Sequence, residues 1–432
     1  MTNPPAPPTP PIPPPPQQPE QPVHPVLEAI YAFLSHGRFA RALSVTILAT
    51  AFGVHMLRAT MGWAGLNTLL VTQILLVAMM MLARRRMITW THVVPVSLAL
   101  FMTWCFLSLL WSRFLEATWT GIAYQIAFAI LGLALAATRD TIQLIRSVGD
   151  VLRVYLGLSL VLEIVAGVLI DGPIRFLGIL GNLAGSGSIQ GIFGGRNPLA
   201  VVSLVALVTF VVEWRTRSVS RTASIGSLIG AGLCLFFARS PVGWAALFVV
   251  AAVATVLYGL RALNAERRRT AQFIVLALGL LAVILAWVSR TAIIVALSAG
   301  GVIDYRLDLW RQMWGLTKQQ LMNGWGWTGL WRPGTYPFSG IDFVTGTTHR
   351  SGLNVYLDTW FQVGLVGLVL LLIALGLAFT RGWQLASNKK SEAYVWAPLV
   401  LTVLLATGFG EGNLLVEWGW LIVVIIMART SA

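Results

Sequence analysis

The sequence predicts an all-α polytopic membrane protein with about 12 transmembrane helices. Hydrophobic residues make up 57% of the chain and charged residues only 11%, whereas a soluble domain carries about 25% charge. Apolar runs of the length that a bilayer requires, about 20 residues, recur from one end of the chain to the other. Basic residues concentrate in every second connection between these runs, as they do in cytoplasmic loops. A soluble fold is therefore excluded.

The spans themselves follow from the breaks in the apolar pattern. Charged or turn-rich segments separate twelve runs, at 39–57, 66–83, 92–111, 117–137, 148–170, 198–213, 222–238, 241–260, 271–289, 351–379, 394–410 and 413–428. Each run is apolar over most of its length, as a lipid-spanning helix must be.

The orientation follows from the arginines. With the N-terminus inside, all even-numbered connections are basic, and 19 of the 30 Lys and Arg residues lie on the inner side. This places both termini in the cytoplasm. Most of the other basic residues fall in or beside two outer loops, at 171–197 and 290–350. The large extracytoplasmic loop at 290–350 lies between the ninth and tenth spans.

The N-terminal segment differs in composition from the rest. Residues 1–37 are rich in proline, with PPIPPPP at the centre, and lack the charged start and apolar core of a signal peptide. We expect a disordered cytoplasmic tail. A ligand for a proline-recognition module is the alternative. Residues 38–432 then form one transmembrane helical domain.

The outer loop 290–350 has two halves. In the first, apolar residues recur at steps of four and three, which predicts a helix lying at the membrane surface; these residues are Ile303, Leu307, Trp310, Trp314, Thr317 and Leu321. The second half, NGWGWTGLWRPGTYPFSG, is dense in Gly, Pro and aromatic residues. It predicts an irregular lid-like loop with tryptophans at the membrane interface.

Several function classes are excluded or disfavoured by the residues. The sequence has no phosphate-cradling GxxxxGK(S/T), no GxGxxG between a strand and a helix, no zinc-protease HExxH and no serine-hydrolase GxSxG. The net charge of +14 is explained by the inner loops, so we expect no nucleic-acid partner. Cys105 and Cys234 both lie in apolar runs, which predicts small core residues and neither a disulfide nor a cysteine metal site.

His349 is the only histidine of the large outer loop. Because its ordinary pKa lies near neutrality, an imidazole at this position is suited to accept a hydroxyl proton. A polar residue at the start of a helix is the simpler interpretation. Arg239, Arg306, Arg311 and Arg350, expected on the same face near the membrane boundary, favour the functional one.

Arginines close to lipid require a carboxylate, a carbonyl or an anionic ligand. Ordinary salt bridges with outer-loop acids are one explanation, and the candidates are Asp171, Asp304, Asp308 and Asp342. Asp308 and Arg311 are three residues apart on the expected surface helix. Arg239, in FFARSPVGW, has no acid near it in the sequence. A phosphate or diphosphate bound by its guanidinium would account for that position.

A glycine-rich bend, SIQGIFGGRNPLA, precedes the sixth span. Arg196 lies in it, Pro198 falls in the expected first helical turn, and Asn197 is a candidate helix cap. The helix start is also a candidate anion site. Glu163, within the fifth span, and Glu411, in GFGEGN between the last two spans, are the unusual acids. Either would pair with an arginine or act in the site.

Four segments in this order resemble the O-antigen ligase and Wzy-type polymerase family, GT-C-like membrane glycosyltransferases of bacteria. They are GIFGGRNPLA, FARSPVGWAAL, YRLDLWRQMW ending in GWGW, and THRSGLNVYLDTWFQVGLVGL. The resemblance covers roughly residues 190 to 380. It implies a metal-independent, inverting enzyme without a cofactor, which moves a glycan from undecaprenyl diphosphate to an acceptor hydroxyl on the outer face of the cytoplasmic membrane.

The resemblance also implies roles for single residues. Arg239 and Arg306 would bind the donor diphosphate, with Arg196 and Arg311 as further candidates, and His349 would orient or deprotonate the acceptor hydroxyl. Glu411 and Asn197 are possible supporting residues. The chain departs from the family pattern at Ala-Arg-Ser around Arg239 and at His-Arg around His349.

Other functions stay open at this point. A multi-pass transporter of an anionic or glycan substrate is the main alternative, although no repeat relates the two halves of the chain. A noncatalytic assembly partner that uses the proline-rich tail is the third. The expected partners are a lipid-diphosphate glycan donor, a glycan or glycolipid acceptor and membrane lipids. Sequence does not separate a ligase from a polymerase.

Overall fold

A computed structural model describes residues 25–85, 94–292, 295 and 303–431. Its α-helices are α1 Pro25–Ser35, α2 Gly37–Phe52, α3 Val54–Ala83, α4 Val96–Leu107, α5 Leu115–Thr138, α6 Thr141–Ile164, α7 Arg196–Thr216, α8 Arg221–Ala238, α9 Pro241–Ala262, α10 Ala265–Val288, α11 Asp304–Thr317, α12 Phe338–Thr345, α13 Val355–Asn388, α14 Trp396–Thr407 and α15 Glu417–Ser431. Short 3₁₀ or π turns occupy Ser108–Leu110, Val165–Leu169, Arg175–Leu177, Gly191–Phe193, Lys318–Gln320, Glu392–Val395 and Asn413–Leu415.

The all-α prediction is confirmed, since the described residues contain helices and no β-strand. Among the described residues, seven helices are long and apolar enough to cross a membrane: α3, α5, α6 with its π turn, α7, α8, α9 and α13. The chain is thus a polytopic membrane protein. Every predicted apolar run overlaps a helix, but the count of twelve spans and their orientation stay predictions.

Two helices form the centre of the bundle. In α7, 72% of the most apolar stretch is buried, and the helix packs against α6, α8, α9 and α14. Nearly all side chains of α15 are buried against α5, α13 and neighbouring segments. By contrast, α10 packs mainly on α9 and exposes most of its apolar side chains, as expected for a helix that faces lipid.

Basic residues from distant connections meet at one end of the bundle. Arg84 donates to the carbonyl of Ser35, Arg261 to the carbonyl of Lys390, and Arg429 to that of Ala136. These arginines belong to the connections and the C-terminus predicted to lie inside. Which side this end faces stays a prediction.

The predicted disordered tail is structured at its C-terminal end, because α1 begins at Pro25. Proline is favoured at the first position of a helix, and VLEAIYAFLS after it supplies good helix formers. Residues 1–24 lie outside the described residues, as do Arg86 and His92.

A break in α13 receives the tryptophan-rich segment 321–333, which we call the tryptophan loop. At Val363 and Gly364 the helix leaves helical geometry, with Gly364 at φ 70°. A break in a helix leaves carbonyl groups without their usual hydrogen-bond donors, so these groups need new partners. The amides of Trp325 and Gly326 donate to the carbonyls of Phe361 and Gln362, at 3.1 and 2.8 Å. The loop therefore completes the broken helix.

The three tryptophans of this loop are buried within the bundle, and their position at the membrane interface stays a prediction. Trp325, Trp327 and Trp331 are 5%, 0% and 3% exposed. Gln362 Oε1 accepts hydrogen bonds from the amides of Thr328 and Gly329, which holds the loop inside the bundle. These aromatic side chains contribute to the core because the loop pairs with a helix break instead of lying on the surface.

The helix predicted in the first half of the outer loop is confirmed as α11, but its buried face is different. Leu309, Met313 and Thr317 are buried, whereas Trp314 is 38% exposed. Thr317 belongs to both faces, and the buried face is turned by roughly 80° from the predicted one. Met313 packs closely on Gly352, so the buried face of α11 rests on the chain before α13.

Candidate functional site

Three helices begin around one small cavity. The first turns of α7, α9 and α11 supply its wall, together with the connection between α14 and α15. The cavity has a volume of about 250 Å³ and is lined by Arg196, Asn197, Pro241, Tyr305, Arg306, Leu353 and Glu411. We call it the cationic pocket. Helix N-termini carry partial positive charge, so three of them with two arginines make a strongly anion-attracting site.

Glu411 joins the helices that form this pocket. Its Oε1 accepts hydrogen bonds from Arg306 Nη2 at 2.9 Å and from Asn197 Nδ2 at 2.6 Å. Asn197 in turn accepts a hydrogen bond from Ser240 Oγ at 2.8 Å. A single carboxylate thus fixes residues of α7 and α11, and through Ser240 the start of α9.

Burial raises the pKa of Glu411, while the Arg306 and Arg196 charges and the hydrogen bonds of Asn197 and Arg306 act in the opposite direction. The carboxyl group is 8% exposed, so removal from water is the largest cause. The site therefore holds a carboxylate whose charge depends on the arginines around it.

Asn197 does not cap α7, contrary to the expectation. The N-cap is Gly195, and Asn197 lies in the first turn with its side chain directed to Glu411 and Ser240. Glu163 forms no salt bridge with any arginine that the structure describes. Its Oε1 accepts hydrogen bonds from the amides of Gln190 and Gly191, at 2.6 and 2.7 Å, and so supports the glycine-rich bend before α7.

Arg239 and Arg311 lie outside the wall of the cationic pocket. Arg239 ends α8 in a left-handed conformation, φ 47°, and is exposed. Its neighbour Ser240 belongs to the Glu411 network, so the Arg239 backbone lies at the edge of the pocket. Arg311 pairs with Asp308 at 2.5 Å on the exposed side of α11, which confirms that predicted pair. It is about 140° around the helix from Arg306.

His349 is held by an acid. Its ring Nδ1 is 2.9 Å from Asp342 Oδ1, and the same oxygen accepts a hydrogen bond from the His349 amide. The ring stacks on Tyr305 with centroids 5.5 Å apart. Nε2 is 3.4 Å from the Thr347 hydroxyl, too long for a strong hydrogen bond. Because Tyr305 lines the cationic pocket, His349 is one side chain away from it.

Sequence reasoning missed two members of this arrangement. Asp342 was considered only as a partner for arginines, although it lies seven residues before His349 on the short helix α12. Tyr305 was not singled out, although it directly precedes Arg306. An acid near a candidate base, and an aromatic residue beside a candidate cation, are the signals that would have indicated them.

The structure and the sequence together define a polytopic membrane protein with an anion-attracting pocket beside a histidine–carboxylate pair. Residues 225–372, about a third of the chain, match the family model described as O-antigen ligase. The predicted resemblance is thereby confirmed over this segment. No curated protein matches the chain.

The matched segment contains Arg239, Arg306, Arg311 and His349, whereas the Glu411 network also draws on residues outside it. The match supports an enzyme of polysaccharide metabolism with a glycosyltransferase-like function. Within the part of the chain that the structure describes, no group of three or more His, Cys, Asp or Glu residues is placed to hold a metal ion. Metal independence itself stays a prediction.

Proposed function

We propose that the protein transfers a glycan from undecaprenyl diphosphate to an acceptor hydroxyl on the outer face of the cytoplasmic membrane. The observation that carries the proposal is the cationic pocket, where Arg196 and Arg306 lie at three helix N-termini, one side chain away from His349. A diphosphate fits this charge, and a proton acceptor beside it completes the requirements of a glycosyl transfer.

The donor diphosphate would occupy the cationic pocket. As the acceptor oxygen attacks the anomeric carbon, the bond between that carbon and the diphosphate oxygen breaks, and the diphosphate leaves with the electron pair. Fixed guanidinium groups and helix N-termini stabilise the charge that develops. Arg306 is the best placed, with Arg196 beside it, and Arg239 would reach the diphosphate from the edge of the pocket.

His349 would take the proton of the acceptor hydroxyl on Nε2. Asp342 accepts a hydrogen bond from Nδ1–H, which leaves Nε2 free to act as the base and favours the imidazolium that forms. Thr347 Oγ1, 3.4 Å from Nε2, indicates where that hydroxyl would lie. Because the His349 side chain is 1% exposed, the segment around Thr347 must move for an acceptor to enter.

Glu411 and Asn197 would support the site without touching the reacting atoms. Their hydrogen bonds hold Arg306 and connect the helices whose N-termini meet there. Arg311, paired with Asp308, receives no role in this proposal. Attack opposite the leaving diphosphate would invert the anomeric centre, and no metal is needed where arginines carry the charge.

Replacement of His349 tests the proposal. With purified protein, an undecaprenyl-diphosphate-linked glycan and an acceptor, His349→Ala should abolish transfer while the thermal unfolding midpoint stays close to that of the wild type. His36→Ala, at the opposite end of the bundle, is the matched control. Full activity of His349→Ala would exclude the base assigned here.

Product analysis separates the two versions of the reaction. In cells that lack the gene, loss of glycan chain length would identify a polymerase, and loss of glycan attachment with chain length preserved would identify a ligase. If glycan chain length and glycan attachment were both unchanged, and the uptake or export of an anion were affected, the result would instead favour a transporter.

A further inference from the structure

A second cavity lies beside His349, apart from the cationic pocket. It is a groove of about 680 Å³ between α3, α5 and the tryptophan loop; we call it the α3–α5 groove. Trp331, whose ring centroid is 6.4 Å from that of His349, lines it, and so does the adjacent Arg350. The His349 ring is thus next to a wall residue of each cavity: Tyr305 of the cationic pocket and Trp331 of the α3–α5 groove.

The wall of this groove changes character along its length. Arg332, Arg350 and Thr120 are at one end, and Leu70, Val71 and Ile74 continue it along α3. From Trp63 to Ile74 the helix rises about 16 Å, roughly half the hydrocarbon thickness of a bilayer. The combination of a charged end and an apolar run of this length matches an amphiphile with an anionic head and a hydrocarbon chain.

The groove is also open at its side. Val71 is 57% exposed and Trp63 45% exposed on α3, which is one of the helices long enough to span a membrane. A lipid could therefore enter laterally from the bilayer without crossing the bundle. An aqueous substrate would gain nothing from this apolar wall.

The charges at the groove mouth are not neutralised by acids. Arg332 donates to the Thr120 hydroxyl at 2.5 Å, and no described carboxylate forms a salt bridge with it or with Arg350. Glu417, the carboxylate that acts electrostatically on this region, already accepts hydrogen bonds from Arg58 and Tyr124. Guanidinium groups at a membrane boundary favour phosphate or carboxylate partners.

We infer that the α3–α5 groove binds the lipid anchor of an anionic glycolipid acceptor, with Arg332 and Arg350 against its charged head. The inference rests on the proposed function, in which the donor diphosphate takes the cationic pocket. A base must contact the acceptor and lie near the donor, and the groove provides a separate path to His349 for the second lipid substrate.

The first test measures lipid binding and needs no activity. Purified protein in nanodiscs is photolabelled with phosphatidylglycerol that carries a diazirine in its acyl chain, and labelled peptides are mapped. Labelling of residues 63–74 and 120–127 should fall at least fivefold in Arg332→Gln/Arg350→Gln, and should remain unchanged in Arg113→Gln, an exposed arginine outside the groove. Equal labelling in both variants would mean ordinary surrounding lipid and would overturn the inference.

The second test uses transfer kinetics. Val71→Trp fills the groove, and Leu75→Trp, one turn further on α3 and 59% exposed, is the matched control outside the groove wall. Val71→Trp should raise KM for the lipid acceptor about tenfold or more and leave KM for the donor within twofold. A rise in the donor KM instead would assign the groove to the donor chain and overturn the inference.

The two tests separate the inference from the proposed function. If the wild type transfers no glycan under any condition while labelling still depends on Arg332 and Arg350, the glycosyltransferase proposal fails and the groove is an anionic-lipid site without an acceptor role. If transfer proceeds and both groove variants behave like their controls, the proposed function stands and the acceptor groove is wrong.

Discussion

Arg306 and Glu411 are 105 residues apart in the chain, and their side chains meet at 2.9 Å in the wall of the cationic pocket. Both are mostly buried, with side chains 13% and 8% exposed. A buried ion pair contributes little net stability, but removing one partner leaves an uncompensated charge. This pair therefore couples the integrity of the helix junction to the charge that the pocket offers to a ligand.

Arg306→Gln should lower the free energy of unfolding by about 3 kcal/mol, because the Glu411 carboxylate stays buried without its cation. The double variant Arg306→Gln/Glu411→Gln should recover most of that loss, since neither charge remains. Glycan transfer should be lost in both, because the arginine that stabilises the leaving diphosphate is absent. Denaturation in mixed micelles and a transfer assay give the two quantities.

Arg311→Gln is the counterpart of Arg306→Gln, because it removes an arginine to which we assign no role in the site. Its guanidinium and the Asp308 carboxylate are 71% and 63% exposed, and exposed pairs of this kind contribute at most about 1 kcal/mol. The free energy of unfolding should therefore change by no more than that amount.

If the double variant Arg306→Gln/Glu411→Gln still transferred glycan at the wild-type rate, the leaving-group role of Arg306 would have to be abandoned.

Stability should also depend on pH through Glu411. Because burial raises its pKa above the ordinary value of 4.5, the folded protein binds this proton more tightly than the unfolded chain does. The stabilising contribution of this bound proton to the free energy of unfolding is therefore present below pH 4.5. It is lost as the pH rises through the raised pKa of Glu411. The thermal unfolding midpoint of the wild type should thus fall relative to that of Glu411→Gln between pH 4 and pH 8. A difference independent of pH would contradict the raised pKa.

The sequence was sufficient for the elements that depend on local pattern. Apolar runs of membrane length predicted the helices α2 to α10 and α13 to α15, and motif resemblance selected Arg306 and His349 as site candidates. Both signals lie within short segments, so the sequence contains them directly. The pair Asp308–Arg311 was also predictable, because residues three apart on a helix are neighbours.

The remaining features depend on which distant segments meet. Nothing in GFGEGN indicates that Glu411 bonds to Asn197, 214 residues away. The burial of Trp327 follows from the break in α13, and a glycine within an apolar run does not by itself predict a break. In the same way, α11 was recognised as a helix, but the face that it buries packs on Gly352, a residue outside the helix.

Asp342 should act through His349 without contacting a substrate. Asp342→Ala removes the oxygen that holds both Nδ1 and the amide of His349, and kcat should fall about 100-fold, the typical contribution of a positioned base. Asp342→Asn keeps an acceptor oxygen without the charge and should lose less. The donor KM should change little in either variant, because the cationic pocket is intact.

A purely structural role for Asp342 gives a different result. The thermal unfolding midpoint would then fall in parallel with activity, and KM for donor and acceptor would rise together. Thr347→Val is the matched control in the same segment. It removes a hydroxyl that only marks the expected acceptor position, so its kcat should stay within about fivefold of the wild type, a change of roughly 1 kcal/mol.

The break in α13 is the last feature that a single substitution can test. Gly364 has φ 70°, and a Cβ at this position would lie 1.9 Å from the carbonyl oxygen of Met322. Gly364→Ala therefore combines backbone strain with a clash against the tryptophan loop, and should cost roughly 3 kcal/mol or more. Because that loop carries Trp331 and Arg332, displacement of the loop should also impair transfer.

Gly376→Ala is the control on the same helix, where a Cβ meets nothing within 4 Å and alanine is the better helix former. Its unfolding midpoint should equal or exceed that of the wild type. If both variants unfold at the wild-type temperature, the tryptophan loop does not insert into the break of α13.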